Sequence, residues 1–302
     1  MRLIKLNPKP KLSKPPFTFE AIGTHWQIDI NQPIKATAAH KLLQKIQQRI
    51  ELFDRHYSRF RSDSLVTRIS QQTGTYELPE DARELFDMYA QLYMETNGAV
   101  TPLIGQLLSD AGYDASYSLQ PKPLSSVPSW QKTLDYRFPH LTVKQPVLLD
   151  FGAAGKGYLV DIIGRLLEEE GIHSFCINAG GDILQHSAEN KALEIGLENP
   201  NNTAQAIGIA KITDQSLCGS AGNRRAWDTY HHILDPFKQA SPQHIKAVWV
   251  AAPTALLADA LTTCLFFVSP AVLAENHRFE YAIIYSDDSL TYSAHFPASF
   301  FH

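Results

Sequence analysis

The residues with the clearest chemical pattern lie between Asp150 and Asp161, in the run Asp-Phe-Gly-Ala-Ala-Gly-Lys-Gly-Tyr-Leu-Val-Asp. The apolar residues 147–149 before it predict a buried strand. The run itself is a Gly/Ala-rich turn that places Lys156 at the start of a predicted helix. Small residues let backbone groups approach a ligand, while a helix N-terminus and a lysine both favour an anion. The pattern indicates a phosphate site, but it is equally typical of a plain strand-to-helix turn with a solvated lysine. A P-loop is excluded, because Gly157 stands where Ser or Thr would ligate magnesium.

A second set of chemical side chains lies in the segment Ala258-Asp-Ala-Leu-Thr-Thr263. Asp259 and Thr263 are four residues apart, so they share one face of the helix predicted here. A carboxylate and a hydroxyl are hard oxygen ligands of the kind that magnesium prefers. Asp259 is flanked by Ala and Leu residues, and an unpaired carboxylate in an apolar setting is costly, which favours a cation partner. The alternative is a surface aspartate beside a threonine that bonds back to its own helix.

Residues 178–182, Asn-Ala-Gly-Gly-Asp, follow another predicted buried strand. Loops at strand ends are common places for ligand contacts, so Asn178, Gly180 and Gly181 are candidate binding residues. The alternative is a plain Gly-Gly turn closed by Asp182. The motif alone does not separate these two interpretations.

Two adjacent histidines, His231 and His232, occur in the run Tyr-His-His-Ile-Leu-Asp-Pro. Histidine titrates near neutral pH and can accept a proton during catalysis. In an extended segment, neighbouring side chains point to opposite sides, so at most one of the two faces a given site. A purely structural role for either ring is the alternative.

The overall composition favours some classes of protein and disfavours others. The chain has 302 residues, a net charge of −4, 44% hydrophobic residues and 19% charged residues, which predicts a folded protein with a sizeable core. No basic surplus is present to neutralise a nucleic-acid backbone, so we expect no nucleic-acid partner. The three cysteines are widely spaced and match neither a disulfide framework nor a zinc site. No apolar window predicts a membrane span and no secretory signal is recognisable, so we expect a cytoplasmic protein.

The elements that must position these groups follow from apolar spacing and turn residues. Residues 1–16 are rich in Lys and Pro and predict a flexible arm, whereas residues 17–302 predict one domain. Strands and helices mix without a regular βαβ rhythm, which favours an α+β fold. Helices are predicted over 37–53, 79–97, from 156 to a stop at 171, and 254–267. Strands are predicted over 19–30 with a break at 22–24, 174–178, 193–197, 206–212 and 247–252, and a hairpin over 281–293.

Together and in their order along the chain, the four segments resemble the FAD:protein FMN transferases, the ApbE family. That family's pattern runs D-x-G-G-x-A-K-G-Y-x-x-D, N-x-G-G-D, H-H-I-x-D-P and A-P-T-x-x-x-A-D-A-L-x-T. The likeness extends from the sequence Ile22-Gly-Thr nearly to the C-terminus. Each motif alone is weak, but their joint occurrence is highly specific.

The resemblance implies a fold and a set of site residues. The expected fold is bilobal and related to tunnelling folds, with mixed or antiparallel sheets, flanking helices and a ligand cleft between the halves. Magnesium would be held by Asp259, Thr263 and the main-chain oxygen of Ala153, and His232 matches the residue commonly proposed as base. Contacts with FAD are expected from Ile22, Phe60, Ala99, Val100, Thr101, Asp150, Lys156 and Ile233.

The implied activity is magnesium-dependent transfer of FMN from FAD to a Thr or Ser hydroxyl of an acceptor flavoprotein, with release of AMP. The acceptor's target motif would be an Asp followed shortly by Ser/Thr-Gly-Ala-Thr. This chain departs from the pattern at Thr101, where a carboxylate is usual, and in the run Phe237-Lys-Gln239, where Arg-Thr-Gly is usual. It also has residues 218–222, Cys-Gly-Ser-Ala-Gly, where Thr-Ser-Gly is usual. These departures leave two alternatives, a protein that binds or stores FAD without transfer and a slow hydrolase that splits FAD into FMN and AMP.

Overall fold

The computed structural model describes residues 4–5 and 17–301. Most of the predicted arm, residues 1–16, therefore lies outside the described residues. Its described part, Ile4–Lys5, forms the short strand β1. The helices are α1 (Ala36–Tyr57), α2 (Leu65–Gln71), α3 (Ala82–Glu95), α4 (Gly105–Asp110), α5 (Trp130–Thr133), α6 (Gly155–Glu169), α7 (Ala255–Cys264) and α8 (Pro270–Ala274).

The remaining strands belong to antiparallel sheets. Up to the end of α7 they are β2 (Phe17–Ala21), β3 (Thr24–Ile30), β4 (Gly74–Glu77), β5 (Leu134–Arg137), β6 (His140–Val143), β7 (Ser174–Ala179), β8 (Asp182–Ser187), β9 (Leu193–Asn199), β10 (Asn202–Ile212), β11 (Gln215–Ala221), β12 (Ala226–Trp227), β13 (Tyr230–His231) and β14 (Ile245–Ala252). The last three are β15 (Glu280–Tyr285), β16 (Leu290–Tyr292) and β17 (Ala298–Phe300).

The largest sheet has eight strands in the order β16-β15-β14-β11-β8-β7-β3-β2. A four-stranded sheet runs β1-β9-β10-β17, and smaller sheets are formed by β4-β6-β5 and β12-β13. Every strand pairing in the described part of the chain is antiparallel. Helices and antiparallel sheets therefore confirm the predicted α+β class.

The central strand β14 shows how the large sheet separates two apolar layers. Successive side chains of a strand point to opposite faces. Val248 and Val250 join the cluster that contains helix residues such as Leu261, whereas Trp249 joins the cluster that contains Ile195 of β9. The large sheet is thus covered by helices on one face and by the four-stranded sheet on the other.

Several predicted elements are confirmed, with small shifts at their ends. The interrupted strand becomes the hairpin of β2 and β3, whose turn contains Ile22 and Gly23, both at positive φ. Helix α6 is followed by Gly171 at φ +76°, as the glycine stop predicted. The C-terminal hairpin appears as β15 and β16. No helix among the described residues is long and apolar enough to cross a membrane.

The predicted strand at residues 147–149 is wrong. These residues are in no strand, and Asp150 N donates instead to the carbonyl oxygen of Pro102 at 2.8 Å. The segment runs close to the start of α4, because a Cβ added at Gly105 would lie 2.4 Å from the Leu148 carbonyl oxygen. Leu149 is fully buried. A short apolar run predicts burial, but it does not indicate whether a neighbouring strand is available for pairing.

Candidate functional site

A cavity of about 720 Å³ opens between the N-terminal part of α6, the middle and C-terminal part of α7, the end of α1 and the loops around residues 99–104, 113–117 and 219–234. This volume lies in the range of small-molecule and cofactor sites. Most of the residues predicted to act together line this one cavity. They are Ile22, Phe60, Ala99, Val100, Thr101, Asp150, Ala153, Lys156, Gly180, His232, Ile233, Asp259 and Thr263.

One side of the cavity is formed where α6 crosses α7, which we call the α6–α7 corner (Lys156, Gly157, Asp161, Ala255 and Asp259). A Cβ added at Gly157 would lie 2.1 Å from the Ala255 carbonyl oxygen, so only glycine permits this approach. Gly157 N donates to Asp259 Oδ2 at 2.8 Å. The two helices are therefore joined through the carboxylate that sequence analysis selected as a metal ligand.

Asp161 fixes the start of α7 at this corner. Its two carboxylate oxygens accept hydrogen bonds from Ala255 N and Leu256 N, at 2.8 and 2.7 Å. The Thr254 hydroxyl adds the predicted N-cap by accepting from Leu257 N at 3.3 Å. Because these contacts set the position of α7 against α6, they also set the position of Asp259.

The charges at the corner are unbalanced. Lys156 Nζ forms an ion pair with Asp182 and lies 3.7 Å from Asp259 Oδ1, so one ammonium serves two buried carboxylates. Burial raises the pKa of Asp259, and the Lys156 charge and the Gly157 N–H oppose that rise. A buried surplus of negative charge favours a cation.

A metal ion fits the donors at the corner by type. Asp259 offers a carboxylate, Thr263 a hydroxyl and Ala153 a main-chain oxygen, all at the cavity wall. Hard oxygen donors of this kind suit magnesium, which also keeps several non-protein ligands. The described residues contain no group of three or more His, Cys, Asp or Glu side chains arranged to hold a metal. A metal here would therefore use hydroxyl, main-chain, water or substrate oxygens as well.

Another part of the cavity lining is an aromatic wall made of Phe60, Tyr113 and Tyr117. Phe60 stacks on Tyr117 with ring centroids 5.1 Å apart and contacts Tyr113 edge-on at 5.5 Å. The Arg59 guanidinium lies over the Phe60 ring at 4.2 Å, and its Nε donates to Asp150 Oδ2 at 2.5 Å. Asp150 also accepts from Gly152 N at 2.8 Å, which ties the aromatic wall to the Gly/Ala turn.

The two adjacent histidines point to different places, as their extended segment predicted. The Nε2 atom of His231 lies 3.0 Å from the Pro242 carbonyl oxygen, and its ring is buried outside the cavity. His232 lines the cavity, and its Nδ1 is buried with no hydrogen-bond partner among the described residues. Burial, followed by the charge of Arg225, lowers the pKa of His232 well below its usual value. The imidazole is therefore neutral at pH 7 and can accept a proton.

Two predicted binding residues do not reach the cavity wall. Asn178 Oδ1 accepts from Gly181 N at 3.0 Å, so this pair closes the turn between β7 and β8. The neighbouring Gly180 does line the cavity, at φ +63°, and a Cβ there would lie 1.9 Å from the Thr24 hydroxyl oxygen. The predicted turn therefore reaches the cavity through Gly180, whereas Asn178 and Gly181 do not line it.

Thr101 and residues 237–239, the sites of departure from the family pattern, have local structural partners. The Thr101 hydroxyl caps a short 3₁₀ helix by accepting from Leu103 N at 3.2 Å. Asp235 accepts from the backbone N–H of Phe237 and Lys238, and Gln239 adopts φ +53° where the pattern has glycine. These backbone hydrogen bonds to Asp235 form a turn at residues 235–238 in this chain.

Sequence reasoning missed several residues of the cavity. These residues share no spacing with the motifs, and they reach the cavity from loops and from α1, α3 and β11. The adjacent arginines after β11, Arg224 and Arg225, were a signal available in the sequence, because they place two positive charges in one short polar turn. The missed residues include Arg59, Tyr89, Tyr113, Tyr117, Arg224 and Arg225, together with Asp182 behind Lys156.

Comparison with known proteins identifies the class to which this fold and site belong. Residues 22–283 match the sequence model described as the ApbE family, and the chain therefore belongs to the ApbE family. A protein of Escherichia coli K12 named FAD:protein FMN transferase is 25% identical over 293 residues, covering 88% of this chain and 82% of that protein. A protein of the same name from Treponema pallidum is 26% identical and covers 90% and 85%. These names support a transferase.

Solved structures support the same fold. The flavin transferase ApbE of Vibrio cholerae superimposes with a TM-score of 0.77 at 21% identity, covering 92% of this chain and 96% of that one. The ApbE protein of Thermotoga maritima gives a TM-score of 0.79 with the same coverage. The apo flavinyl transferase ApbE of Pseudomonas stutzeri gives 0.75 and covers 97% and 98%. The predicted ApbE-like α+β fold is confirmed.

Proposed function

We propose that this protein transfers FMN from FAD to a Thr or Ser hydroxyl of an acceptor protein, in a magnesium-dependent reaction that releases AMP. The observation that carries the proposal is the meeting of Lys156, Asp259, Thr263 and His232 in one cavity beside an aromatic wall. A cation-binding carboxylate, a lysine at a helix N-terminus and a neutral histidine are the groups that phosphoryl transfer from a diphosphate requires.

The cavity offers each part of FAD a suitable surface. The aromatic wall supplies flat faces for a ring system, since offset stacking of aromatic rings is favourable. Lys156 and the N-terminus of α6 supply positive potential for the diphosphate. We expect further contacts from Ile22, Ala99, Val100, Thr101, Asp150 and Ile233, which line the same cavity.

Asp259, Thr263 and the main-chain oxygen of Ala153 would hold the magnesium ion. A bound Mg²⁺ supplies Lewis-acid stabilisation of negative charge on phosphate oxygens. The contribution of the chain itself is to orient the Asp259 carboxylate and to favour its ionised form. Gly157 N–H and the Lys156 ammonium both favour the ionised form against the effect of burial.

In the reaction, the acceptor hydroxyl oxygen forms a bond to the FMN-side phosphorus. The bond from that phosphorus to the bridging oxygen breaks, and its electron pair leaves with AMP. His232 accepts the hydroxyl proton, because its lowered pKa keeps the ring neutral before the step. Lys156 stabilises the negative charge that develops on the phosphates.

The proposal is tested by incubating the protein with FAD, MgCl₂ and an acceptor protein that carries the motif Asp followed by Ser/Thr-Gly-Ala-Thr. We expect a fluorescent acceptor band after denaturing electrophoresis, an acceptor mass increase equal to FMN minus water, and one AMP released per flavin attached. An acceptor whose target Thr is replaced by Val is the matched control.

Other outcomes would select the alternatives. FAD binding without AMP release would indicate a binding or storage protein. FMN and AMP appearing in equal amounts with an unmodified acceptor would indicate hydrolysis by water. Either result, obtained with an acceptor that a relative named FAD:protein FMN transferase modifies in parallel, would overturn the transfer proposal.

A further inference from the structure

Five lysine and arginine side chains line the cavity, and four of them already have carboxylate partners. The pairs are Arg59 with Asp150, Arg61 with Asp54 and Asp63, Lys156 with Asp182, and Arg224 with Glu198. Arg225 differs from these four. Within residues 4–5 and 17–301, no carboxylate oxygen lies within 4.0 Å of its guanidinium.

Arg225 is an exposed residue, and one side-chain hydrogen bond orients its guanidinium. Its Nη1 donates to the hydroxyl oxygen of Tyr113 at 3.0 Å. The Tyr113 ring stacks on Trp227 at 5.7 Å, and Trp227 Nε1 donates to the Ala111 carbonyl oxygen at 2.7 Å. A neutral hydroxyl orients a guanidinium without cancelling its charge. The Arg225 guanidinium is therefore an oriented positive charge at the cavity wall.

Arg225 also lies close to the groups proposed to act on the substrate. Its main-chain oxygen accepts from His232 N at 3.1 Å. Its charge contributes to lowering the pKa of His232, and it opposes the burial that raises the pKa of Asp259. The guanidinium is therefore within electrostatic reach of both the proposed base and the proposed metal ligand.

The family pattern usually has an arginine two residues after the Asp that begins Asp-Pro, and this chain has Phe237 there. The Phe237 side chain is 70% exposed and offers no charge to the cavity. Arg225 places a cation in the cavity from a different segment, the turn after β11.

Resting on the proposed function, we propose that Arg225 binds an oxygen of the FAD diphosphate and stabilises the charge that develops on AMP. A guanidinium matches phosphate geometry with paired N–H donors, and one without a carboxylate partner keeps its charge available for the ligand. When the bond between the FMN-side phosphorus and the bridging oxygen breaks, the electron pair leaves with AMP. Arg225 stabilises the resulting phosphate oxygen, while the acceptor proton goes to His232.

The test compares Arg225→Met and Arg225→Lys with Arg137→Met, which removes one positive charge from an exposed strand outside the cavity. Dissociation constants for FAD and for riboflavin, which lacks phosphates, are measured by flavin fluorescence, and transfer is measured at saturating FAD. A hydrogen bond to a charged group predicts that Arg225→Met weakens FAD binding by roughly 10- to 100-fold. Riboflavin binding should stay within about twofold, because only the phosphate contact is lost. Arg225→Lys should recover part of the loss, and Arg137→Met should match the parent.

Two results would overturn the assignment. One is parental FAD affinity and a parental transfer rate in Arg225→Met. The other is an equal loss of FAD and riboflavin affinity, which would mean that Arg225 acts only by supporting Tyr113 and the aromatic wall. The assignment is separable from the proposed function, since Arg225-dependent FAD affinity in a protein that modifies no acceptor would support this contact while contradicting transfer.

Discussion

The α6–α7 corner and the aromatic wall contribute to the same cavity but are built in different ways. The corner is held by carboxylates that accept backbone N–H bonds, as Asp161 does from Ala255 and Leu256. Its helices meet at Gly157, where no other residue fits. The aromatic wall is held by ring contacts among Phe60, Tyr113 and Tyr117. Where only one residue type fits, as at Gly157, the sequence carries a strong motif. Where several residue types could pack equally well, as in the aromatic wall, the motif is weak.

The largest effect is expected at the corner, from Asp259→Asn. The side chain keeps its size but loses the charge that faces Lys156 and would bind magnesium. We expect magnesium-dependent transfer to fall by roughly 10³-fold, at the upper end of the effect of one electrostatic group. Transfer is measured across a magnesium titration, and calorimetry measures magnesium binding in the presence of ADP.

The circular dichroism spectrum of this variant should match the parent, and the exposed Asp135→Asn should behave as the parent in both assays. Parental magnesium affinity in Asp259→Asn would remove the corner from the metal site.

The second effect concerns the loop side of the cavity, through His232→Ala. Loss of a general base reduces the rate by roughly 10²- to 10⁴-fold, so we expect a drop of that size in transfer with FAD affinity within about threefold of the parent. The Nδ1 atom of His232 has no hydrogen-bond partner among the described residues, so removing the imidazole breaks no side-chain hydrogen bond there. Single-turnover kinetics with saturating FAD measures the step directly, and a parental rate would assign proton removal to another group.

The residues of the cavity show how much of the site could be predicted from the sequence. Asp259 was predicted from its helical spacing to Thr263, and Lys156 from its place after a Gly/Ala turn at the start of a helix; both line the cavity. Arg59 and Tyr113 were not predicted, since they approach the site through loops and contact one another across long stretches of chain. The false strand at 147–149 has the same origin, because apolar residues report burial and not the identity of the neighbour.

A third prediction uses pH to test the corner without the aromatic wall, through the titration of Asp161. Burial raises the pKa of Asp161 from 3.8 to about 6, and the hydrogen bonds from Leu256 and Ala255 oppose that rise. Between these two values the folded chain holds a proton that the unfolded chain has lost, so this group stabilises the fold at low pH. That stability is lost as pH rises through about 6 and amounts to at most about 3 kcal/mol.

The measurement is the free energy of unfolding by urea at several pH values from 4 to 7.5, for the parent and for Asp161→Asn. The difference, parent minus variant, should decrease over this range, because only the parent has the titrating group. A difference that stays constant with pH would show that the ionisation of Asp161 is not linked to folding.

The smallest effect tests the close packing of the corner with a single methyl group. In Gly157→Ala, the new Cβ meets the Ala255 carbonyl oxygen at 2.1 Å and the Asp259 Cβ at 2.6 Å, so the helices must separate. Overpacking of this kind costs about 1–3 kcal/mol of unfolding free energy. The matched control is Gly155→Ala on the same helix, where the nearest atom is Phe151 Cβ at 3.4 Å. Gly155→Ala should be neutral or stabilise by up to about 1 kcal/mol, because alanine favours the helix. Equal free energies of unfolding for the two variants would mean that the corner accommodates the added methyl group. Gly157 would then be present for a reason other than close packing.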